Sequence, residues 1–179
     1  MKSVLVLSLG GTIDSAPYPE DENLYPVNSS PNEDNGGFQV LNAIVNKRDL
    51  PIALKQIRIS NKDSKDINEQ DIAKLAKNIS NEKANRIIVT MGTDRMCETA
   101  RAIAEKVKTP ACPIVFTGAI WPLANGLEKS DGYQNLENAL LGRLGSKAGI
   151  YIAMNGLFDS ADKIRKDFSL RKFIKKHKN

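Results

Sequence analysis

Apolar and polar positions along this chain follow two alternating spacings, one typical of strands and one typical of helices. Five short runs rich in Val and Ile have the length and composition of buried parallel strands. They begin at Ser3, Ile52, Ile87, Ile114 and Ile150. Segments with helical spacing of apolar residues separate them, at 38–46, 68–79, 93–107 and 134–144. The alternation predicts an α/β fold of three layers, with a mainly parallel sheet and helices on both faces, of the Rossmann or flavodoxin type.

Two of the predicted strands stop at a glycine–threonine pair. Gly11 and Thr12 follow the first strand, and Gly92 and Thr93 follow the third. Glycine lets the backbone turn sharply and approach a ligand, and ligands of open α/β sheets lie at the carboxyl ends of the strands. The pattern therefore predicts a site in which the two threonine hydroxyls face a common substrate.

Both glycine–threonine segments also have purely structural interpretations. The first is suited to a tight turn, and it lacks the spacing of a dinucleotide-binding or Walker phosphate loop. At the second, a helix is predicted to start at Thr93, so Thr93 or Asp94 is suited to cap it. The free N–H groups of that helix start are equally suited to bind a carboxylate or a developing oxyanion.

Charge is unevenly distributed along the 179 residues, whose formal net charge is +5. Basic residues concentrate at 163–178, and acidic ones at 20–34. The basic end predicts a solvated surface helix over about 169–179, and no aromatic platform accompanies it, so we expect no nucleic-acid binding. No run approaches the roughly 18 apolar residues of a membrane span. We expect a cytoplasmic, single-domain protein over residues 1–179 that does not bind membranes.

The chain contains one histidine, His177, close to its basic end. A Ser–His–Asp or Cys–His site therefore lacks a base, and a catalytic zinc site lacks ligands. We expect neither metal nor cofactor, and any acyl transfer must use another base. A long polar segment at about 16–37 follows the first strand and is predicted to form a flexible active-site lid.

Two motifs together resemble the paired signature of the bacterial-type L-asparaginases, which are threonine-nucleophile amidohydrolases. They are GGTI at Gly10–Ile13 and MGTDRMCETA at Met91–Ala100. Three further segments, at 61–67, 116–139 and 152–166, are similar to other parts of that family in the same order. The resemblance covers nearly the whole chain. It implies hydrolysis of L-asparagine to L-aspartate and ammonia.

The resemblance also implies roles for individual residues. Thr12 would attack the side-chain amide carbon and form an acyl-enzyme, with Tyr25 of the lid orienting it; Tyr18 is the alternative. Thr93, Asp94 and Lys166 would form a second catalytic cluster, in which Lys166 accepts a proton. Lys163 and Arg165 are the alternatives to Lys166.

The resemblance further identifies a set of substrate-binding residues. In it, Ser64 would hold the substrate α-carboxylate and Asp94 would pair with the α-ammonium. The full set is Gly11, Asp63, Ser64, Lys65, Gly92, Thr93 and Asp94. Lys65 stands where longer members often have glutamine, which predicts a shift in substrate preference.

Longer members of the family carry a second, smaller domain after the matched segment, and we expect none here. The resemblance implies a homo-oligomer, a dimer or tetramer, whose interface is built differently from theirs. Two alternatives remain open. The same site would serve a glutaminase or another small-amide hydrolase, and a non-catalytic amino-acid-binding protein is the alternative of a different class.

Overall fold

Six strands form one sheet in the computed structural model, which describes residues 1–15, 36–126, 128–143 and 145–176. Their order across the sheet is β2-β1-β3-β4-β5-β6, and the first five to appear in the chain are parallel. The strands are β1 (Lys2–Ser8), β2 (Ile52–Arg58), β3 (Arg86–Thr90), β4 (Pro113–Thr117), β5 (Gly149–Met154) and β6 (Leu157–Ser160). The five predicted strands are therefore confirmed. The sixth returns antiparallel to β5 through a tight turn at Asn155 and Gly156, both of which have positive φ.

In the ranges given above, four helices cover the two faces of the sheet. They are α1 (Gly36–Lys47), α2 (Glu69–Asn81), α3 (Met96–Lys106) and α4 (Gly132–Leu141). Leu41 of α1 and Leu136 of α4 join the core on one face, whereas Leu75 of α2 and Ile103 of α3 join the core on the other. This arrangement confirms the predicted three-layer α/β fold. None of the helices in the described part of the chain is both long and apolar enough to span a bilayer.

The register of the sheet brings three chain segments to one edge. β1 lies between β2 and β3, with Ser8 opposite both Arg58 and Thr90, the last residues of its neighbours. All three strands run in the same direction and end at the same level. The segments that follow them, at 9–12, 59–66 and 91–94, therefore leave the sheet side by side.

The basic C-terminal segment forms a β-hairpin, so the helix predicted over 169–179 is wrong. Strands β7 (Ile164–Asp167) and β8 (Lys172–Lys175) pair antiparallel, and Asp167 Oδ1 accepts hydrogen bonds within the turn that joins them. Phe173 is 2% exposed and belongs to the same core cluster as Leu75 of α2 and Ile103 of α3. Only Phe173 of β8 is fully buried, between exposed lysines, so the local pattern has no clear strand period.

Two predicted features fall on residues that the structure does not describe. Most of the predicted lid at 16–37 lies outside the described residues, together with Tyr25 and its alternative Tyr18. The single histidine, His177, also lies outside them.

Candidate active site

Three loops meet at the carboxyl edge of the sheet with their backbones in contact. A Cβ added to Gly11 would lie 2.1 Å from Gly92 N, and one added to Gly10 would lie 2.7 Å from Lys62 N. One added to Gly92 would lie 2.9 Å from Ser64 Cβ. Real Cβ atoms do not tolerate such distances, so glycine at these positions is what allows the loops to pack together. Gly11 and Gly92 thereby bring the segments carrying Thr12 and Thr93 into contact.

Thr93 and Asp94 do not cap the helix that follows them. That helix, α3, begins at Met96 with Arg95 as its N-cap residue, and no side chain that the structure describes forms a capping hydrogen bond at its start. The capping interpretation of Thr93 and Asp94 is therefore wrong. They lie in a turn before the helix, which leaves the Thr93 hydroxyl and the Asp94 carboxylate available for other contacts.

Lys166 of β7 contacts both of these side chains. Its Nζ donates hydrogen bonds to Thr93 Oγ1 at 2.8 Å and to Asp94 Oδ1 at 2.5 Å. The Lys166 side chain is 8% exposed, because the β7–β8 hairpin packs against α3 and its neighbours. A hydroxyl, a carboxylate and a nearly buried amine thus form one connected cluster.

Asp94 is held by a second lysine as well. Lys65 Nζ lies 3.3 Å from Asp94 Oδ2, so each carboxylate oxygen faces its own ammonium group. Burial alone would raise the pKa of Asp94. The hydrogen bonds and charges of Lys166 and Lys65 outweigh that effect and hold the pKa of the carboxyl below its usual range. Asp94 therefore remains an anion that attracts cations at this edge.

The turn carrying Lys65 is built from its neighbours. Asp63 accepts a hydrogen bond from Lys65 N at 2.8 Å and caps the 3-10 turn Ser64–Asp66. Ser64 is 2% exposed and packs on Gly92. The predicted substrate-binding residues Asp63, Ser64 and Lys65 therefore lie directly beside the loop that carries Thr93.

Thr12 begins a short 3-10 turn, Thr12–Asp14, instead of entering the polar segment directly. Its carbonyl oxygen accepts a hydrogen bond from Ser15 Oγ at 2.9 Å. The turn is preceded by Gly11 at φ 91° and ψ −176°, a backbone conformation open essentially to glycine alone. Thr12 is partly exposed, while Ile13 and Asp14 behind it are buried.

Asp14 is a buried acid that the sequence analysis did not single out. Its Oδ1 accepts from Gly37 N at 2.9 Å, and its Oδ2 accepts from Ser8 Oγ at 3.3 Å. Burial raises the pKa of Asp14, and the two hydrogen bonds and the charge of Arg58 only partly offset that rise. No local signal in the sequence pointed to it, since Asp14 stands between Thr12 and Ser15, next to the predicted polar segment.

The described residues show no cluster of three or more His, Cys, Asp or Glu side chains placed to hold a metal ion. This edge carries two threonines on contacting loops and a lysine amine that is hydrogen-bonded to one of them. It also carries a carboxylate that lies between two lysines. Such a set is suited to move a proton from a hydroxyl and to bind a small charged molecule.

Comparison with known proteins gives one family and several relatives. The model described as "Asparaginase, N-terminal" matches residues 3–172. The chain is 28% identical over 152 residues to the L-asparaginase of Thermococcus kodakarensis, a match that covers 84% of this chain and 43% of that protein. It is 28% identical over 160 residues to L-asparaginase 2 of Escherichia coli, covering 87% of this chain and 43% of that one.

Solved structures give the same likeness. The thermostable L-asparaginase from Thermococcus kodakarensis aligns with a TM-score of 0.79 at 26% identity, over 97% of this chain and 51% of that chain. The probable cytoplasmic L-asparaginase from Campylobacter jejuni aligns with a TM-score of 0.75 at 28% identity, over 97% and 52%. The chain thus spans about half the length of these proteins.

Proposed function

The chain belongs to the asparaginase family, through the N-terminal domain that its residues 3–172 match, and on this basis we propose that it hydrolyses the side-chain amide of L-asparagine. The observation that carries the proposal is the bond from Lys166 Nζ to Thr93 Oγ1 beside the loop of Thr12. Relatives named L-asparaginases support the substrate. The chain spans about half of their length, so the activity of the longer proteins is proposed for this chain and is tested below.

The first step is attack by the hydroxyl of Thr12. Its oxygen forms a bond to the amide carbon, the C–N bond breaks, and ammonia leaves with the proton that the hydroxyl gives up. Water then attacks the resulting ester, which releases L-aspartate and restores the Thr12 hydroxyl. Thr12 is proposed as the nucleophile because it is partly exposed and adjoins the predicted lid, whose Tyr25 would orient it.

Thr93 and Lys166 form the proton relay in this proposal. For this step Lys166 must be in its neutral amine form. Its Nζ then takes up the proton of the attacking hydroxyl by way of Thr93 Oγ1, 2.8 Å away, and passes it to the departing ammonia. Asp94 Oδ1 holds the ammonium that results. The amine thus supplies the base in a chain whose single histidine lies near its end.

Substrate binding is assigned to residues at the place where the three loops of this edge meet. Ser64 and the backbone at Gly11 and Gly92 lie where the loops contact one another, and the turn of Asp63 and Lys65 borders them. We assign the substrate α-carboxylate to Ser64. No cofactor or metal takes part in the proposed reaction.

The proposal also covers the location of the protein and its assembly. We propose a cytoplasmic location because the similar protein of Campylobacter jejuni is named a probable cytoplasmic L-asparaginase. Assembly into a homo-oligomer, a dimer or tetramer, stays a prediction from the family resemblance, as does the expectation that neither nucleic acid nor membrane is a partner.

Ammonia release from L-asparagine and L-glutamine, measured in parallel on the purified chain, tests the proposal. We expect turnover of asparagine that falls at least about 100-fold in Thr12→Ala while the variant remains folded. Undiminished turnover in Thr12→Ala would remove Thr12 as nucleophile. Glutamine turnover exceeding that of asparagine would favour a glutaminase, and amino-acid binding in calorimetry with no product formed would identify a binding protein.

A further inference from the structure

Two lysines from distant parts of the chain hold the same carboxylate. Lys166 Nζ is 2.5 Å from Asp94 Oδ1, and Lys65 Nζ is 3.3 Å from Asp94 Oδ2. Both oxygens of Asp94 therefore already face an ammonium group. The two lysines differ in freedom, since the Lys166 side chain is 8% exposed and the Lys65 side chain is 71% exposed.

The backbone beneath Lys65 is fixed although its side chain is free to move. Asp63 binds the Lys65 amide at 2.8 Å, and the buried Ser64 packs on Gly92, in the loop that leads to Asp94. The backbone of Lys65 is therefore held beside the loop that leads to Asp94. The ammonium group of Lys65 stays within side-chain reach of this edge of the sheet even when the ion pair opens.

Resting on the proposed function, we propose that Lys65 determines specificity by occupying the cation position on Asp94. A substrate α-ammonium must share the carboxylate with two lysines or displace Lys65, and like charges at this spacing repel. The site then gains little from an α-ammonium and more from a substrate carboxylate that Lys65 reaches. The site should therefore accept amides that bear a carboxylate but no free α-ammonium, such as succinamate or an N-acylated asparagine, about as well as it accepts asparagine.

The competing explanation is that the pair of Lys65 and Asp94 is an ordinary surface ion pair. Such pairs contribute little to stability and yield readily to a ligand. In that case removal of the Lys65 charge leaves the preference between asparagine and succinamate, which differ only by the α-amino group, unchanged. The two explanations therefore differ in one measurable ratio.

The first measurement is that ratio, kcat/KM for asparagine divided by kcat/KM for succinamate. We expect it to lie within about threefold of unity in the wild type and to rise at least about tenfold in Lys65→Gln. Lys65→Arg, which keeps the charge, should behave like the wild type. Lys55→Gln is the matched control, because Lys55 is similarly exposed and pairs with Glu82 at 2.7 Å, away from Asp94.

The second measurement does not depend on turnover. Isothermal calorimetry compares L-aspartate with succinate, the products that differ by the same amino group, on the wild type and Lys65→Gln. We expect the ratio of the two affinities to shift about tenfold toward aspartate in Lys65→Gln.

The outcomes separate this inference from the proposed function. Turnover of both amides with an unchanged ratio in Lys65→Gln overturns the role of Lys65 and leaves the proposed function standing. A shifted affinity ratio without turnover of any amide overturns the proposed function and leaves the role of Lys65 standing. Binding of neither product to any variant, or a wild-type preference for asparagine of tenfold or more that Lys65→Gln does not alter, overturns the inference.

Discussion

Gly11 and Gly92 lie in backbone contact, so that a Cβ built on Gly11 would stand 2.1 Å from Gly92 N and 2.4 Å from Gly92 Cα. Two loops that belong to different strands are thus packed at a separation that only glycine permits. The same contact sets the distance between the segments that carry Thr12 and Thr93. The geometry of the candidate site therefore depends on the absence of one methyl group.

Replacement of Gly11 by alanine should separate these loops. We expect Gly11→Ala to lower the free energy of unfolding by about 3 kcal/mol, because it overpacks the contact and places alanine at a φ of 91°. Proposed amidase activity should be lost in the fraction that stays folded. Urea denaturation measures the first effect and ammonia release the second.

Gly156→Ala is the matched control for this change. Gly156 also has positive φ, but a Cβ there meets no atom within 4 Å in the described part of the chain. It should cost only the strain of its backbone, about 1 kcal/mol. Equal losses in the two variants would show that strain, and not the contact with Gly92, limits position 11.

Thr93→Val should abolish turnover without unfolding the protein. Valine keeps the shape of the side chain and removes the oxygen that Lys166 contacts. We expect ammonia release to fall at least about 100-fold. Far-ultraviolet circular dichroism checks the fold, and activity within threefold of the wild type would exclude the Thr93 hydroxyl from the reaction.

Thr90→Val, at the end of β3, should change the stability of the protein, whereas Thr93→Val should change its activity. Thr90 Oγ1 is buried and makes no hydrogen bond to any residue that the structure describes. Since an unpaired buried hydroxyl costs free energy, we expect the variant to be about 1 kcal/mol more stable. Thermal or urea unfolding measures this. A loss of stability would indicate that the hydroxyl has a partner such as a buried water.

Asp94 should make the protein less stable in acid. Its pKa in the folded state lies below the usual 3.8, so the stability that it contributes is complete above that pH and is lost as the pH falls through the folded-state pKa. The Asn amide oxygen in Asp94→Asn can still accept a hydrogen bond from Lys166 but does not titrate. The variant should therefore lose less stability than the wild type as the pH falls. Urea midpoints compared between about pH 6 and pH 3 test the difference. Parallel curves for the two proteins would contradict it.

Asp14 should have the reverse pH dependence. Its folded-state pKa is raised, so stability is lost as the pH rises from 3.8 through the raised pKa. We expect Asp14→Asn to match or exceed the wild type in stability at neutral pH, because Asn keeps an acceptor for Gly37 N and offers a donor to Ser8 Oγ. The free energy of unfolding, measured from about pH 4 to pH 7, should decline less with rising pH in the variant than in the wild type.

Asp71→Asn is the contrasting variant for Asp14→Asn. Asp71 is also buried, but hydrogen bonds from Lys62 and Asn68 outweigh the effect of burial and lower its pKa. The same substitution should therefore destabilise the protein at neutral pH. If both variants changed stability in the same direction, burial and ion pairing would not be what separates the two carboxyls.

Much of the fold was predictable because strands and helices are encoded by local periodicity. The runs beginning at Ser3, Ile87 and Ile114 are apolar enough to be buried on both faces, and the structure places them at the centre of the sheet. The carboxyl edge as the location of the site follows from the parallel order of those strands. The C-terminal hairpin was missed because only the burial of Phe173 against the core distinguishes it from a charged helix.

The candidate site was predictable as a set of residue types and not as a geometry. Glycine before threonine at two strand ends indicated which loops matter. Nothing local indicated that α3 begins at Met96, which frees Thr93 and Asp94 from capping, or that Asp14 is buried behind Thr12.

Local patterns along the chain encode the α/β order of elements and mark the glycines that let the loops meet. The contact of Lys166 with Thr93, and the sharing of Asp94 between Lys166 and Lys65, arise only when the chain folds. The physical reason is the range of the interactions. Periodicity and turn chemistry act over a few residues, whereas the cluster at Asp94 exists because a hairpin and a turn, distant in the chain, pack against the same loop.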